Sequence, residues 1–225
     1  MIKFVETKTP VDGIEALAGN ISKLLNDGKK VLWLVSGGSN VKVAVEVMEK
    51  IRAGTKTNLL ANLTISQTDE RYGPVGHKDS NWQQLLNVGF NPSGVKVLPV
   101  LADLTLGETT KCWSQLLERA FKDNDICIGQ FGMGADGHIA GILKHSPATR
   151  GKEFVCAFKT LNFTRITMTF AALEHVTMSY VFVFGLNKKE AVQNLRNKDL
   201  SIEEQPAQIL KTLPDVTFFT DCLAQ

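Results

Sequence analysis

The sequence predicts an α/β fold of Rossmann-like type, a doubly wound, mainly parallel sheet with helices on both faces, three layers in all. Three observations carry this prediction. Short apolar runs recur along the 225 residues. Stretches with apolar residues at helical spacing lie between them. The alternation continues over the whole length without an internal repeat, low-complexity tract or linker, so residues 1–225 read as one domain.

The elements follow in order. Ile14, Leu17, Ala18, Ile21, Leu24 and Leu25 form a helical stripe, opened by Thr9-Pro10 and closed by Gly28. VLWLV (31–35) is apolar throughout, as a strand buried on both faces must be. Val41, Ala44, Val45, Met48 and Ile51 make a second helical stripe. NLTISQ (62–67) is strand-like and leads into a long polar loop reaching Asp79. DSNWQQLLNV begins a short helix capped by Asp79 or Ser80. VKVLPV (95–100) is strand-like, 108–122 is an amphipathic helix, and DICIGQF (125–131) is a strand. EFVCAF (153–158), RITMTF (165–170) and SYVFVFG (179–185) are further strands. Lys188 to Arg196 and Pro206 to Lys211 read as helical, and VTFFTD (216–221) is the last strand.

Composition narrows the function. With 44% hydrophobic and 21% charged residues the chain is an ordinary globular protein. A net charge of +2 gives no field for nucleic acid or a membrane surface, so any anion binding must be local. Cys112, Cys127, Cys156 and Cys222 are widely spaced with no CxxC pair, which reads as free thiols, neither a disulfide framework nor a zinc site. The start, MIKFVETKTP, has no long apolar segment, and no apolar run is long enough to cross a bilayer. The expected location is the cytoplasm.

In open α/β sheets ligands bind at the carboxyl ends of the strands. Three loops there stand out. After VLWLV come Ser36, Gly37, Gly38 and Ser39, followed by a helix. This is either a plain turn with Ser39 as cap or a phosphate cradle, since glycines admit an anion to backbone N–H groups at a helix N-terminus. It matches neither a Walker A loop nor GxGxxG. After LTISQ come Asp69, Glu70 and Arg71, a surface charge run or part of a site; the long Gly- and Pro-containing loop behind them favours a site. His77 within that loop reads as a surface residue. After DICIGQF comes GMGADGHIAG, with four glycines among residues 130–141 around Asp136 and His138. The two are a buried-turn pair, a metal-ligand pair or an acid–histidine pair poised for proton transfer. No further His or Cys stands at a matching spacing, so no metal is expected. His145 and His175 read as a loop residue and a helix-end residue.

Taken in order, SGGS, TDERYGPVGHKDSN, GMGADGH, RITMTFAAL, FGLNKKEAV and QPAQILKTLPDVTFFTD resemble the successive motifs of the glucosamine-6-phosphate isomerase/6-phosphogluconolactonase family. The resemblance covers nearly the whole chain. It implies a sugar-phosphate enzyme with no metal or cofactor, a small sugar phosphate lactone as its partner, and a monomer or small homo-oligomer. Within the family, DER at the second loop resembles the lactonase form, whereas deaminases resemble DEY. Leu143 stands where the deaminases carry a glutamate used in acid–base chemistry. Asn40, Val41, Gly141 and Lys144 depart from the usual lactonase residues. The implied reaction is hydrolysis of 6-phospho-glucono-1,5-lactone, with His138 as base toward water, Asp136 orienting it and Arg71 facing the oxyanion. Gly37, Gly38, Ser39, Arg165 and Lys188 would hold the phosphate, and Asp69 would orient Arg71 or bind sugar hydroxyls. An amino-sugar phosphate isomerase or deaminase and a catalytically silent sugar-phosphate sensor are the alternatives.

Overall fold

The computed structural model describes residues 1–223. Its elements are β1 (Ile2–Glu6), α1 (Val11–Asn26), β2 (Val31–Val35), α2 (Val41–Gly54), β3 (Leu63–Gln67), β4 (Asp69–Arg71), α3 (Asn81–Asn87), β5 (Lys96–Leu98), α4 (Leu106–Asp123), β6 (Ile126–Gly132), β7 (Val155–Lys159), β8 (Thr164–Met168), α5 (Phe170–Leu173), β9 (Met178–Val183), α6 (Lys189–Asn197) and β10 (Val216–Thr220).

Seven strands form one sheet in the order β1-β10-β9-β6-β2-β3-β5, and every pairing within it is parallel. The central strand β2 shows why. All five of its residues are buried, and successive side chains point to opposite faces. Trp33 joins Ile14, Leu17 and Ile21 of α1 and Val47 and Ile51 of α2 in one core. Leu32 and Leu34 join Trp113 and Leu117 of α4 and Val192 and Leu195 of α6 in the other. The three expected layers are therefore present. Each fully buried Leu, Ile or Val contributes about 1.5–3 kcal/mol of burial, and both faces of the sheet hold many.

Caps agree with the physics of helix ends. Ser80 settles the start of α3: its side chain accepts the Gln83 N–H at 3.1 Å. Thr105 and Glu108 close a capping box at the start of α4. The Pro206–Lys211 segment is helical but of the tighter 3-10 type.

Two features differ from the sequence reading. Ile2–Glu6 forms an edge strand pairing with β10. EFVCAF and RITMTF stand outside the parallel sheet: with Asp69–Arg71 they form a second, antiparallel sheet of order β4-β8-β7. RITMTF also stops as a strand at Met168, and Phe170 opens α5. The small sheet sits against the carboxyl end of the large one, since Thr68 N donates to Val35 O and Met168 N to Thr68 O, both at 3.0 Å. Among the described residues no helix is long and apolar enough to cross a membrane.

Candidate active site

The carboxyl ends of β2, β3 and β6, the small sheet and the β9–α6 turn surround one cleft of about 290 Å³. Gly37, Gly38, Ser39, Asp69, Arg71, His138, Arg165 and Lys188 all line it, together with Asn81, Gly134, Ala140 and Gly141. Ser39 and Lys188, 149 positions apart in the chain, thus meet there.

The first wall is the turn after β2. Ser36 is buried, and its hydroxyl lies 3.0 Å from that of Thr68. Gly38 adopts φ 66°, in the left-handed region. The chain then makes one 3-10 turn and enters α2 at Val41. Ser39 was a candidate cap, but Asn40 occupies the N-cap position and makes no side-chain cap bond. The Ser39 hydroxyl instead lies 3.4 Å from Lys188 Nζ. A fourteen-residue helix therefore begins beside the cleft without a side-chain cap, and the partial positive charge of its first turn is left for an anion.

The second wall is built around Glu70. This side chain is fully buried and accepts five hydrogen bonds, from Gln67 Nε2, Arg71 N, Ser80 Oγ, Asn81 N and Trp82 N at 2.6–3.1 Å. All five partners are donors, two of them backbone N–H groups in the first turn of α3. Glu70 so fixes both the backbone of Arg71 and the start of α3. His77, expected at the surface, is half-buried; its ring Nε2 lies 2.9 Å from Arg71 O and braces the same loop.

Arg71 and Arg165 are direct cross-strand neighbours between β4 and β8. Both guanidinium groups lie on the ring of Phe163, at 5.0 and 5.1 Å from its centroid. Arg71 Nη1 donates to Asp79 O at 2.8 Å. Asp69 pairs with Arg165, not with Arg71, so its expected role in orienting Arg71 is replaced by partial neutralisation of Arg165. Antiparallel register permits the pair: Asp69 lies opposite Thr167, two residues along from Arg165 and on the same face.

The third wall carries the histidine. His138 Nδ1 lies 2.6 Å from Asp136 Oδ1. The hydrogen bond from His138 lowers the Asp136 carboxyl to about 2, against an opposing effect of partial burial. With Nδ1 engaged as donor to this carboxylate, Nε2 is left as the basic nitrogen. Asp136 stands behind the ring and lines a neighbouring hollow instead of the cleft. The glycines of this loop have a use. A Cβ on Gly134 would fall 2.2 Å from His138 Nδ1, and one on Gly141 would fall 2.4 Å from Asp69 Cβ. Ala140 takes φ 51° without being glycine, and its carbonyl accepts the Thr167 hydroxyl at 2.5 Å. The loop is not peripheral: Ile139 and Ile142 are fully buried in the core.

Lys188 closes the cleft from the β9–α6 turn. Burial lowers its pKa from the ordinary lysine value. Three cations, Arg71, Arg165 and Lys188, then face one carboxylate, Asp69, around the lining. Among the described residues no group of three or more His, Cys, Asp or Glu is placed to hold a metal ion.

Asn81 escaped the sequence reading. Its Nδ2 donates to Asp69 O at 2.9 Å, and its side chain packs directly on Gly37. The SN pair closes the TDERYGPVGHKDSN motif and marks a helix start, but neither gave Asn81 a place in the site. Leu143 lies outside the cleft, on an adjoining groove with Lys144 and Phe163. His145 pairs with Glu204 at 3.2 Å, and His175 packs against Phe121 and Phe154.

A parallel sheet whose strand-end loops converge on a cationic, glycine-lined cleft with an acid–histidine pair defines a class, α/β proteins with their site at the carboxyl ends of the strands. The chain belongs to a specific family of that class, glucosamine-6-phosphate isomerases/6-phosphogluconolactonase, whose model matches residues 11–218. Among curated relatives, a glucosamine-6-phosphate deaminase of Lactobacillus johnsonii is 24% identical over 99% of this chain and 96% of its own length. A probable 6-phosphogluconolactonase 4, chloroplastic, of Oryza sativa subsp. indica is 30% identical over 68% of this chain and 53% of its own length. The fold is that of the 6-phosphogluconolactonase from Thermotoga maritima, with a TM-score of 0.82 at 18% identity over 98% of this chain and 99% of that one. A monomeric glucosamine-6-phosphate deaminase shares it too, with a TM-score of 0.74 at 21% identity over 97% and 96% of the two chains.

Proposed function

We propose that this protein hydrolyses 6-phospho-glucono-1,5-lactone to 6-phosphogluconate. The observation that carries the reading is the Asp136–His138 pair, 2.6 Å apart, beside a cleft lined by Arg71, Arg165 and Lys188. Lactone hydrolysis needs a base for water, a positive group for the oxyanion and, for this substrate, a phosphate anchor. His138 Nε2 takes a proton from water as the water oxygen attacks the lactone carbonyl carbon, and Asp136 stabilises the imidazolium that forms. Arg71 faces the tetrahedral oxyanion. Collapse breaks the bond to the ring oxygen, which recovers the proton from His138. The phosphate sits on Gly37, Gly38 and Ser39 at the start of α2, held by Lys188 and Arg165. Asp69 limits the net charge of Arg165 and offers an acceptor to sugar hydroxyls.

The full-length match to a deaminase keeps a second reading, aldose–ketose isomerisation with loss of ammonia from glucosamine 6-phosphate. Leu143 argues against it, since it carries no group that moves a proton and lines an adjoining groove instead of the cleft. One experiment decides. Purified protein is offered 6-phospho-glucono-1,5-lactone and glucosamine 6-phosphate in parallel, with spontaneous lactone opening subtracted. Lactone opening without ammonia is expected. Ammonia release at a comparable rate would make the deaminase reading the better one, and neither activity would leave a sugar-phosphate sensor. The four cysteines are unpaired, which fits action in a reducing cytoplasm.

A further inference from the structure

Asp221 stands at the end of β10, and the last motif of the chain ends on it. The function proposed above gives it no role. Its carboxylate accepts the Gly185 N–H, at 3.0 Å to Oδ1 and 3.2 Å to Oδ2. The parallel ladder between β9 and β10 ends at Val183 and Thr220. The Asp221 side chain therefore extends the pairing by one step, onto a chain that is already turning. Gly185 makes that turn with φ 107°, a conformation L side chains rarely adopt. Its carbonyl then accepts Lys188 N at 3.0 Å. From Lys188 the side chain runs to within 3.4 Å of Ser39 in the glycine-rich turn. The buried Cys222 thiol adds a contact to Asp221 Oδ1 at 3.1 Å. Burial raises the Asp221 pKa, but hydrogen bonds from Cys222, Gly185 and its own backbone together outweigh it and leave the carboxyl below its ordinary value. Leu186, inside the same turn, is 82% exposed, so packing does little to fix the turn and the Asp221 bond bears more of that task.

We infer that Asp221 is a positioning residue: it clamps the Gly185 turn and thereby sets the Lys188 ammonium at the anion end of the cleft. The inference rests on the proposed phosphate role of Lys188. It specifies what Asp221 does not do: it touches neither the reacting carbonyl nor the phosphate. Removing it should weaken anion binding and leave the Asp136–His138 chemistry in place.

The test compares wild type, Asp221→Ala and Asp221→Asn. Amide hydrogen exchange of Gly185 and Lys188 reads the clamp without any substrate. Inorganic phosphate affinity, measured by calorimetry, reads its effect on the cleft. Asp221→Ala should expose the Gly185 amide to exchange and raise the phosphate Kd about 5–10-fold. Asp221→Asn keeps an acceptor oxygen and should restore most of both. With lactones, Asp221→Ala should raise KM for the phosphorylated substrate, hold kcat within about twofold, and leave the unphosphorylated lactone unaffected. Unchanged exchange and unchanged phosphate affinity in Asp221→Ala would overturn the inference. So would an equal loss on both lactones, or a wild type that binds no phosphate. If Asp221→Ala does not fold, the Gly185 amide in wild type still decides: rapid exchange there means no clamp. A wild type that binds phosphate yet opens no lactone would sink the proposed reaction and leave the clamp standing.

Discussion

Arg71 and Arg165 stand directly opposite each other across β4 and β8, two like charges in register on one small sheet. Such a pair destabilises a sheet unless something offsets it. Here Phe163 lies against both guanidinium groups, and Asp69 pairs with only one of them. The surplus positive charge faces the cleft. This surplus is what the proposed phosphate site would use.

The two arginines should separate on mutation. Arg71→Ala removes the group proposed to face the oxyanion and should lower kcat by about 10²–10³-fold, the usual worth of one such donor. Its stability should change little or rise, because one of two opposed charges is gone. Arg165→Ala leaves Asp69 with 8% side-chain exposure and no cation, and should lower the melting temperature. Thermal melts of both variants, run beside lactonase assays, check this; a stability loss in Arg71→Ala equal to that in Arg165→Ala would contradict it.

His138→Ala should lower turnover by about 10²–10⁴-fold while the protein stays folded, since the side chain is 36% exposed. The carboxyl of Asp136 gives a second readout. Its folded pKa of about 2 is depressed chiefly by the hydrogen bond from His138. A depressed carboxylate contributes stability that is present above its unfolded pKa, about 3.9, and lost as pH falls through 2. In His138→Ala the Asp136 titration, followed by carbon NMR, should move back up toward the ordinary value. A midpoint that stays near 2 would mean another group holds it.

Glu70 should prove structural. It is fully buried and collects five donors. Glu70→Ala strands them, and each unsatisfied buried donor costs about 1–3 kcal/mol, so a loss of at least ~3 kcal/mol is expected. Glu70→Gln replaces one acceptor oxygen by a donor and should also destabilise strongly. Urea denaturation measures both; a Glu70→Gln protein as stable as wild type would show that the network tolerates a neutral group.

Much of this was open to inspection in the sequence, and the limits have physical causes. VLWLV announced a buried strand because both its faces are covered. IKFVE did not: it is an edge strand with only partial burial, so its pattern is neither fully apolar nor alternating. DER could not be read as a strand at all, for a three-residue strand of charged residues has no period to detect. Its partner lies almost a hundred residues away, and pairing at that range leaves no local trace. The Asp69–Arg165 pair, 96 positions apart, was hidden for the same reason. The glycine cluster around Asp136 and His138 was legible because close approach of side chains to backbone needs glycine. Ala140 was not, because nothing in the residue type marks its positive φ.

Lys188→Ala gives the sharpest separation of phosphate binding from chemistry. Lys188 lines the cleft beside the glycine-rich turn, 3.4 Å from Ser39, whereas the Asp136 carboxylate lines a neighbouring hollow. A charge-assisted hydrogen bond contributes roughly 1.5–3 kcal/mol. At about 1.4 kcal/mol per factor of ten, its loss should cut kcat/KM for the phosphorylated lactone by about 10- to 100-fold. The unphosphorylated lactone lacks the phosphate proposed to make this contact, so its slower hydrolysis should scarcely change. Arg71→Ala should slow both lactones, because both form the same oxyanion. Four rate measurements, two variants against two lactones and each corrected for spontaneous opening, complete the comparison. An equal slowing of both lactones by Lys188→Ala would place the lysine at the reacting carbonyl and return the phosphate to Arg165 and the start of α2.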